Sequence, residues 1–274
     1  MLPVGVFRRT AGRRDLRNHR KIAVIDGHVG FTGSQNLVSP TFKEGIIYEE
    51  MVVRVTGPAV TELQFVFVTD WYLETGEVLD LPGVFPDPER TGEVAAQALP
   101  SGPGFAPQAN QRLVVALIHG AKDRVVLTTP YFVPDAPLVQ ALQMAVLRGA
   151  HVHLVVSEQE DQFLVGRAQR SYYEDLLEAG VFVHLFQGEF LHAKHLSIDD
   201  QVSLIGSSNM DIRSFVLNAE ISLLVYDQDV TRKLQEEQAR YFARSRTLDL
   251  EEWRKRGFWP RFTENVCRLV SPLL

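Results

Sequence analysis

The polar run NHRKIAVIDGHVGFTGSQN at positions 18–36 returns as LHAKHLSIDDQVSLIGSSN at positions 191–209. His19 and His192 stand 173 residues apart, and Lys21/Lys194, Asp26/Asp199, Gly33/Gly206, Ser34/Ser207 and Asn36/Asn209 keep that offset. Six chemically particular positions in register point to a duplicated structural unit. Downstream, Glu50 in EEMVVRV matches Glu220 in EISLLV at an offset of 170, which implies a loop three residues longer in the first copy. Whatever the motif does, the chain carries it twice.

The surroundings of the motif predict an α/β fold. In the second half, LVVALIHGA reads as a helix, RVVLTTPYF as a strand and APLVQALQMAVLRGA as a helix closed by Gly149. VHLVVS (strand), RSYYEDLLEAG (helix), VFVHLF (strand) and, past the motif, EISLLVYD (strand) follow. Such alternation predicts βαβ units in a mixed, mainly parallel sheet flanked by helices. In the first half, MVVRV reads as a strand and GPAVTELQFVFVTDWYL as a helix with Pro58 in its first turn. Between them, residues 75–111 hold six prolines and five glycines, the chemistry of a linker. Its SGPG lacks the Gly-Lys-Ser/Thr of a phosphate loop and reads as a turn. The expected domains are a first repeat at 1–74, this linker, and a second repeat at 112–274.

A net charge of −6 over 274 residues argues against a surface that wraps nucleic acid, and no nucleic-acid partner is expected. The exception is residues 1–21, where Arg8, Arg9, Arg13, Arg14, Arg17, Arg20 and Lys21 face only Asp15. That arm reads as a solvated basic tail or as an attractor of phosphate and anionic membrane. The single Cys267 forms no intramolecular disulfide and no cysteine-rich zinc cluster. No stretch approaches the roughly 20 apolar residues of a membrane-spanning helix, although FWPRFTENVCRLVSPLL is amphipathic.

His-x-Lys on an extended segment puts an imidazole and an ammonium group on one face. The imidazole is placed to attack phosphorus, and the cation to offset its oxygens. Two such sets joined about a pseudo-twofold axis offer two imidazoles to one phosphodiester. One forms a phosphohistidine while the other protonates the departing alcohol and then deprotonates the acceptor. Lys21, Lys194, Ser34, Ser207, Asn36 and Asn209 would bind phosphoryl oxygens. The scheme needs no metal and no other cofactor. Asp26 and Asp199 belong to the motif, and their five-residue distance from the lysines suits orientation. Glu50 and Glu220 are candidates to fix the second ring nitrogen of each histidine, or else strand-end ion pairs. His151 and His153 share a strand face and read as structural, or less readily as half of a metal site. His195 points away from Lys194 and reads as packing. Tyr131 and Phe132 end a strand and read as core or lipid contacts; Arg213 reads as a phosphate contact or a structural arginine.

Both copies match the signature of the phospholipase D superfamily, His-x-Lys-x4-Asp-x6-Gly-Ser-x-Asn. TTPYFVPD, LVGRAQRSYYEDLLEAGV and IGSSNMDIRSFVLNAEI further resemble bacterial cardiolipin synthases. The resemblance implies transfer of a phosphatidyl group between two phosphatidylglycerol molecules, giving cardiolipin and glycerol. It also implies anionic phospholipid substrates, a membrane surface as partner, and the bacterial inner membrane as location; without an anchor, a cytoplasmic or peripheral place is the alternative. Carried onto this chain, the catalytic residues are His19 as nucleophile, His192 as general acid/base, Lys21, Lys194, Asp26 and Asp199. About 80 residues precede His192 in its repeat but only 18 precede His19. The first repeat is therefore expected to be truncated, to lack about two strands with their helices, and to expose apolar surface and a sheet edge. An inactive remnant of such an enzyme, or another phosphodiesterase of the superfamily such as a nuclease, are the alternative readings.

Overall fold

A computed structural model describes residues 16–270 apart from 40, 42, 103 and 107. LPVGVF, SPLL and four arginines of the basic arm (Arg8, Arg9, Arg13, Arg14) lie outside the described residues. The first motif copy opens with β1 (Ile22–Ile25) and β2 (Val29–Gly33), a hairpin joined through Asp26 and Gly27 at φ 53° and 70°. Both residue types tolerate the left-handed region that a tight hairpin turn demands. After β3 (Tyr48–Glu49), β4 (Val52–Thr56) completes an antiparallel three-stranded sheet in the order β1-β2-β4. Pro58 then caps α1 (Ala59–Thr75), which Gly76 ends at φ 77°.

Residues 75–111, expected to be linker, are only partly so. β5 (Ala95–Ser101) pairs antiparallel with seven residues of a later strand, and α2 (Ala109–Gly120) begins before the expected boundary. AAQALPS carries little strand propensity, and Pro100 is tolerated because β5 is an edge. Its order comes from the neighbour it meets. The second repeat continues with β6 (Arg124–Thr128), β7 (Phe132–Val133), α3 (Ala136–Leu147), β8 (His151–Ser157), α4 (Phe163–Arg170), α5 (Tyr173–Glu178), β9 (Phe182–Phe186) and β10 (Phe190–Leu191). The expected helix at RSYYEDLLEAG is thus two, α4 reaching back to Phe163. The second motif copy is β11 (His195–Ile198) and β12 (Val202–Gly206); β13 (Met210–Asp211), α6 (Ile212–Val216), β14 (Glu220–Tyr226), α7 (Gln228–Ala243), β15 (Ser245–Thr247), α8 (Leu250–Arg254) and α9 (Phe258–Val270) follow.

The main sheet runs β15-β9-β8-β6-β11-β12-β14-β5. It is mixed: β6, β8 and β9 are mutually parallel, and the remaining neighbours pair antiparallel. Its largest core lies between this sheet and α2, α3 and α5, built on residues such as Ile118, Leu138, Leu142, Leu154 and Leu176, all fully buried. A second core joins the halves, setting Val55, Val60, Leu63 and Val66 of the first repeat against Ile221, Leu223 and Val225 of β14. Burial of each such side chain stabilises the fold by about 1.5–3 kcal/mol. The small sheet therefore borrows its core from the large one. Among the described residues, β1 pairs with β2 alone, and Phe65, Trp71 and Tyr72 of α1 are exposed.

The duplication extends to register. Ile22 faces Thr32 and Ile25 faces Val29, while His195 faces Ile205 and Ile198 faces Val202, all at the 173-residue offset. Val52–Thr56 on β2 and Ser222–Tyr226 on β12 repeat at 170, so the three-residue difference falls in the loop after the motif. Among the described residues no helix is long and apolar enough to cross a membrane.

Candidate active site

Each motif copy leaves its own sheet and leans on the other repeat. The His19 amide donates to the Ala219 carbonyl at 2.9 Å, and the Ala219 amide donates to the Arg17 carbonyl at 2.9 Å. Reciprocally, β10 lies parallel to β3, and the His192 amide donates to the Glu49 carbonyl at 2.8 Å. These bridges set each histidine one residue from the glutamate of the opposite copy. Nδ1 of His19 meets both carboxylate oxygens of Glu220 at 2.8 and 2.9 Å, and Nδ1 of His192 meets Glu50 at 2.8 Å. With Nδ1 held, Nε2 of each imidazole is the ring nitrogen left for chemistry. Both histidines line one cleft of about 370 Å³, a size suited to a small-molecule headgroup.

The glycine-serine step beneath each histidine follows from steric fit. A Cβ on Gly33 would lie 2.2 Å from the Met51 carbonyl oxygen, and one on Gly206 would lie 2.4 Å from that of Ile221. Without them, Ser34 and Ser207 could not reach the glutamates. The Ser34 hydroxyl donates to Glu50 at 2.5 Å and accepts the Met51 amide; the Ser207 hydroxyl donates to Glu220 at 2.5 Å and accepts the Ile221 amide. This corrects the expectation that the serines hold phosphate. Both are fully buried, and their hydroxyls are spent on the carboxylates that orient the histidines.

Lys21 and Lys194 curl back so that each ammonium donates to its own histidine's carbonyl, at 2.8 and 2.7 Å. Burial pushes Lys21 down to about 8 against the pull of Glu220 and Glu50. Burial and then Lys21 push Lys194 down to about 7. An arriving phosphate anion opposes both shifts and draws the protons back on. The dyads are unequal. Burial would raise Glu220, but His19, then Lys21 and Ser207, hold it below the usual carboxylate range. In Glu50 burial prevails, and its pKa is raised despite Lys194 and Ser34. Burial lowers both imidazoles; Glu220 opposes this in His19, whereas Lys194, Lys21 and His19 drive His192 further down.

Asn36 and Asn209 line the cleft. Asp26 and Asp199 do not. They occupy the hairpin tips at φ 53° and 50°, and five residues of extended chain put each roughly 16 Å from its lysine. Asp199 accepts the amides of Asp123 and Arg124 at 2.9 and 2.8 Å, stitching the hairpin to the start of β6. A catalytic label on either aspartate is therefore corrected: these are turn residues. His153 bonds His184 at 3.0 Å and stacks on Phe182, among strands at the far edge of the sheet. His195 is buried, its Nδ1 near Gln238 and its ring stacked on Tyr241. Phe132 is core; Tyr131 faces the cleft and donates to Asp161 at 2.6 Å. Of the basic arm, Arg17 lines the cleft; Asp211 and Arg213 of the second repeat line it too. Arg20 instead clamps the repeats together, donating to Asp70 and to the carbonyls of Glu220 and Ser101.

Sequence reasoning left Asn218, Tyr48 and Asp161 unmarked. Asn218 donates to Glu220 at 3.3 Å, Tyr48 packs edge-on to His192, and Asp161 anchors Tyr131. Only Asn218 carried a signal, two residues before a glutamate already singled out.

Comparisons with known proteins agree with this geometry. Residues 114–242 match the family model described as "Cardiolipin synthase, PLD-like domain". Cardiolipin synthase A of Yersinia pseudotuberculosis is 40% identical over 281 aligned positions, covering 100% of this chain and 58% of the relative. The enzyme of that name from Yersinia pestis gives the same figures. The chain thus spans 58% of the length of the curated relatives it matches. The crystal structure of phosphatidylserine synthase from Haemophilus influenzae superposes with a TM-score of 0.74 at 16% identity, covering 96% of this chain and 72% of that one, a likeness of fold. The doubled motif seated in this fold, with a relative matched along the whole of this chain, makes the chain similar to the cardiolipin synthases of the phospholipase D superfamily.

Proposed function

We propose that the chain is a phosphatidyltransferase that moves a phosphatidyl group from one phosphatidylglycerol to a hydroxyl of another, giving cardiolipin and glycerol. The observation that carries this reading is the pair of crossed histidine–glutamate dyads opening on one cleft. In the first half-reaction, Nε2 of His19 forms a bond to phosphorus as the bond from phosphorus to the glycerol oxygen breaks. His192, entering protonated, gives its proton to that oxygen. In the second, the acceptor hydroxyl passes its proton to His192, and its oxygen displaces His19 from phosphorus.

The inequality of the dyads supports this division of labour. Glu220 stays ionised beside His19, where positive charge develops as the nitrogen–phosphorus bond forms. The depressed pKa of His192 favours its neutral form, which suits the base that takes the acceptor's proton in the second half-reaction. Lys21, Lys194, Asn36 and Asn209 would offset the charge on the phosphoryl oxygens. The substrates follow from the relatives' name and from the cleft's joint offer of cations and amides. In mixed micelles of phosphatidylglycerol, purified chain is expected to release glycerol and cardiolipin in equal amounts, and acid-labile phosphate should be trapped on His19. Absence of turnover in a cooperatively folded sample rejects the reading, and cleavage of single-stranded DNA instead assigns a nuclease.

A further inference from the structure

Helix α9 packs with its polar side inward. At 100° per residue, Phe258, Trp259, Phe262, Val266 and Leu269 fall within about 100° of arc, and they are 70%, 72%, 48%, 43% and 81% exposed. Glu264 and Cys267, on roughly the opposite side, are buried. Two charged residues flanking that inner side are tied to α5, Arg261 to Glu174 at 3.0 Å and Arg268 to Asp175 at 3.1 Å, while Arg256, just before the helix, meets the buried Glu264 at 2.7 Å. A surface helix ordinarily hides its apolar stripe and shows its charges to water. Here the buried side carries Glu264 and Cys267 and is flanked by ion pairs, which leaves a contiguous apolar ridge in solvent.

The ridge has an aromatic end and a defined neighbour. Phe258, Trp259 and Phe262 cluster with ring centroids 5.5 to 6.1 Å apart. α9 packs against α4, whose Phe163 and Leu164 are 65% and 47% exposed. The residues on either side of that pair, Gln162 and Val165, line the catalytic cleft. Exposed apolar surface therefore borders the cleft itself. Clustered Trp and Phe beside a charged helix face is the composition of an interfacial helix, whose rings settle at headgroup depth.

We propose that the stripe of α9, with Phe163 and Leu164 of α4, docks on a phospholipid bilayer and sets the cleft against the headgroup layer. This rests on the reading of the substrate as a membrane lipid, and the test separates the two. Full-length chain is sedimented with vesicles of phosphatidylglycerol and phosphatidylethanolamine. The triple variant Phe258→Ser/Trp259→Ser/Phe262→Ser is expected to partition at least about tenfold more weakly. Phe163→Ser, on the other helix, should weaken it by less. Circular-dichroism melting should be unchanged, since all four side chains face water. Turnover of dispersed short-chain phosphatidylglycerol should be kept by the triple variant, while turnover on vesicles falls with binding. Equal sedimentation of wild type and triple variant overturns the proposal. So does a wild-type dimer that the triple variant makes monomeric, which would assign the ridge to a second copy. Stripe-dependent sedimentation without turnover of either lipid form upholds the docking surface and rejects the transferase reading alone.

Discussion

The two hairpins that carry the motif are alike in register and unlike in surroundings. β11–β12 sits in the middle of eight strands, flanked by β6 and β14, and every residue of β11 is buried. β1–β2 sits in a sheet of three, and β1 alternates between half-buried and exposed. Yet His19 and His192 make the same Nδ1–carboxylate contact to within 0.1 Å. Site geometry is thus independent of how much sheet stands behind each copy. It depends on the exchange of backbone bridges and glutamates between copies. Either half alone would hold a histidine without its carboxylate and a carboxylate without its histidine.

That comparison can be broken most sharply at the histidines. His19→Ala and His192→Ala should each lower transfer by about 10³-fold or more, measured as radiolabelled cardiolipin formed; a variant with substantial activity would mean that one copy suffices. Next come the crossed carboxylates. Glu220→Gln should cost about 10²-fold in kcat and Glu50→Gln less, because only Glu220 is both wholly buried and held ionised. Equal losses would show that the dyads are functionally symmetric.

The lysines sharpen the comparison through pH. Turnover should fall as pH rises through about 7 to 8, where Lys194 and then Lys21 lose their protons. Stability should move the other way. Both lysines have folded-state values below the unfolded one, so the unfolded chain binds more protons from about 7 up toward 10.5. Across that window their contribution rises with pH. Urea titrations at pH 7 and 9, beside a rate profile, test both signs. The smallest effect concerns the hairpin tips. Asp199→Ala should destabilise by about 1–3 kcal/mol by stranding amides of the 122–124 segment, with kcat of the folded fraction kept. Asp26→Ala, at an exposed tip, should cost less.

Much of the site was legible because the motif is local and repeated. The histidines, lysines and asparagines could be paired by counting, and the 170-residue offset of the glutamates correctly placed the longer loop. Ser34, Ser207, Asp26 and Asp199 were misread for one reason. Spacing along a chain shows which residues travel together, whereas a serine's partner or an aspartate's distance from phosphorus depends on where the backbone turns. β5 was missed because AAQALPS has little preference of its own and is ordered by β14. The inward-facing charges of α9 were hidden similarly: its amphipathicity was plain, but which face met the protein was not.

The sequence by itself determined the duplication and the α/β class, because these rest on residue type and short spacing. Only the tertiary structure decided that each glutamate serves the other copy's histidine, that the serines lie beneath the site, and that the two dyads differ in charge. Those facts arise from contacts between residues up to 201 apart and from the burial that such contacts create, and neither is written in any local run of the chain.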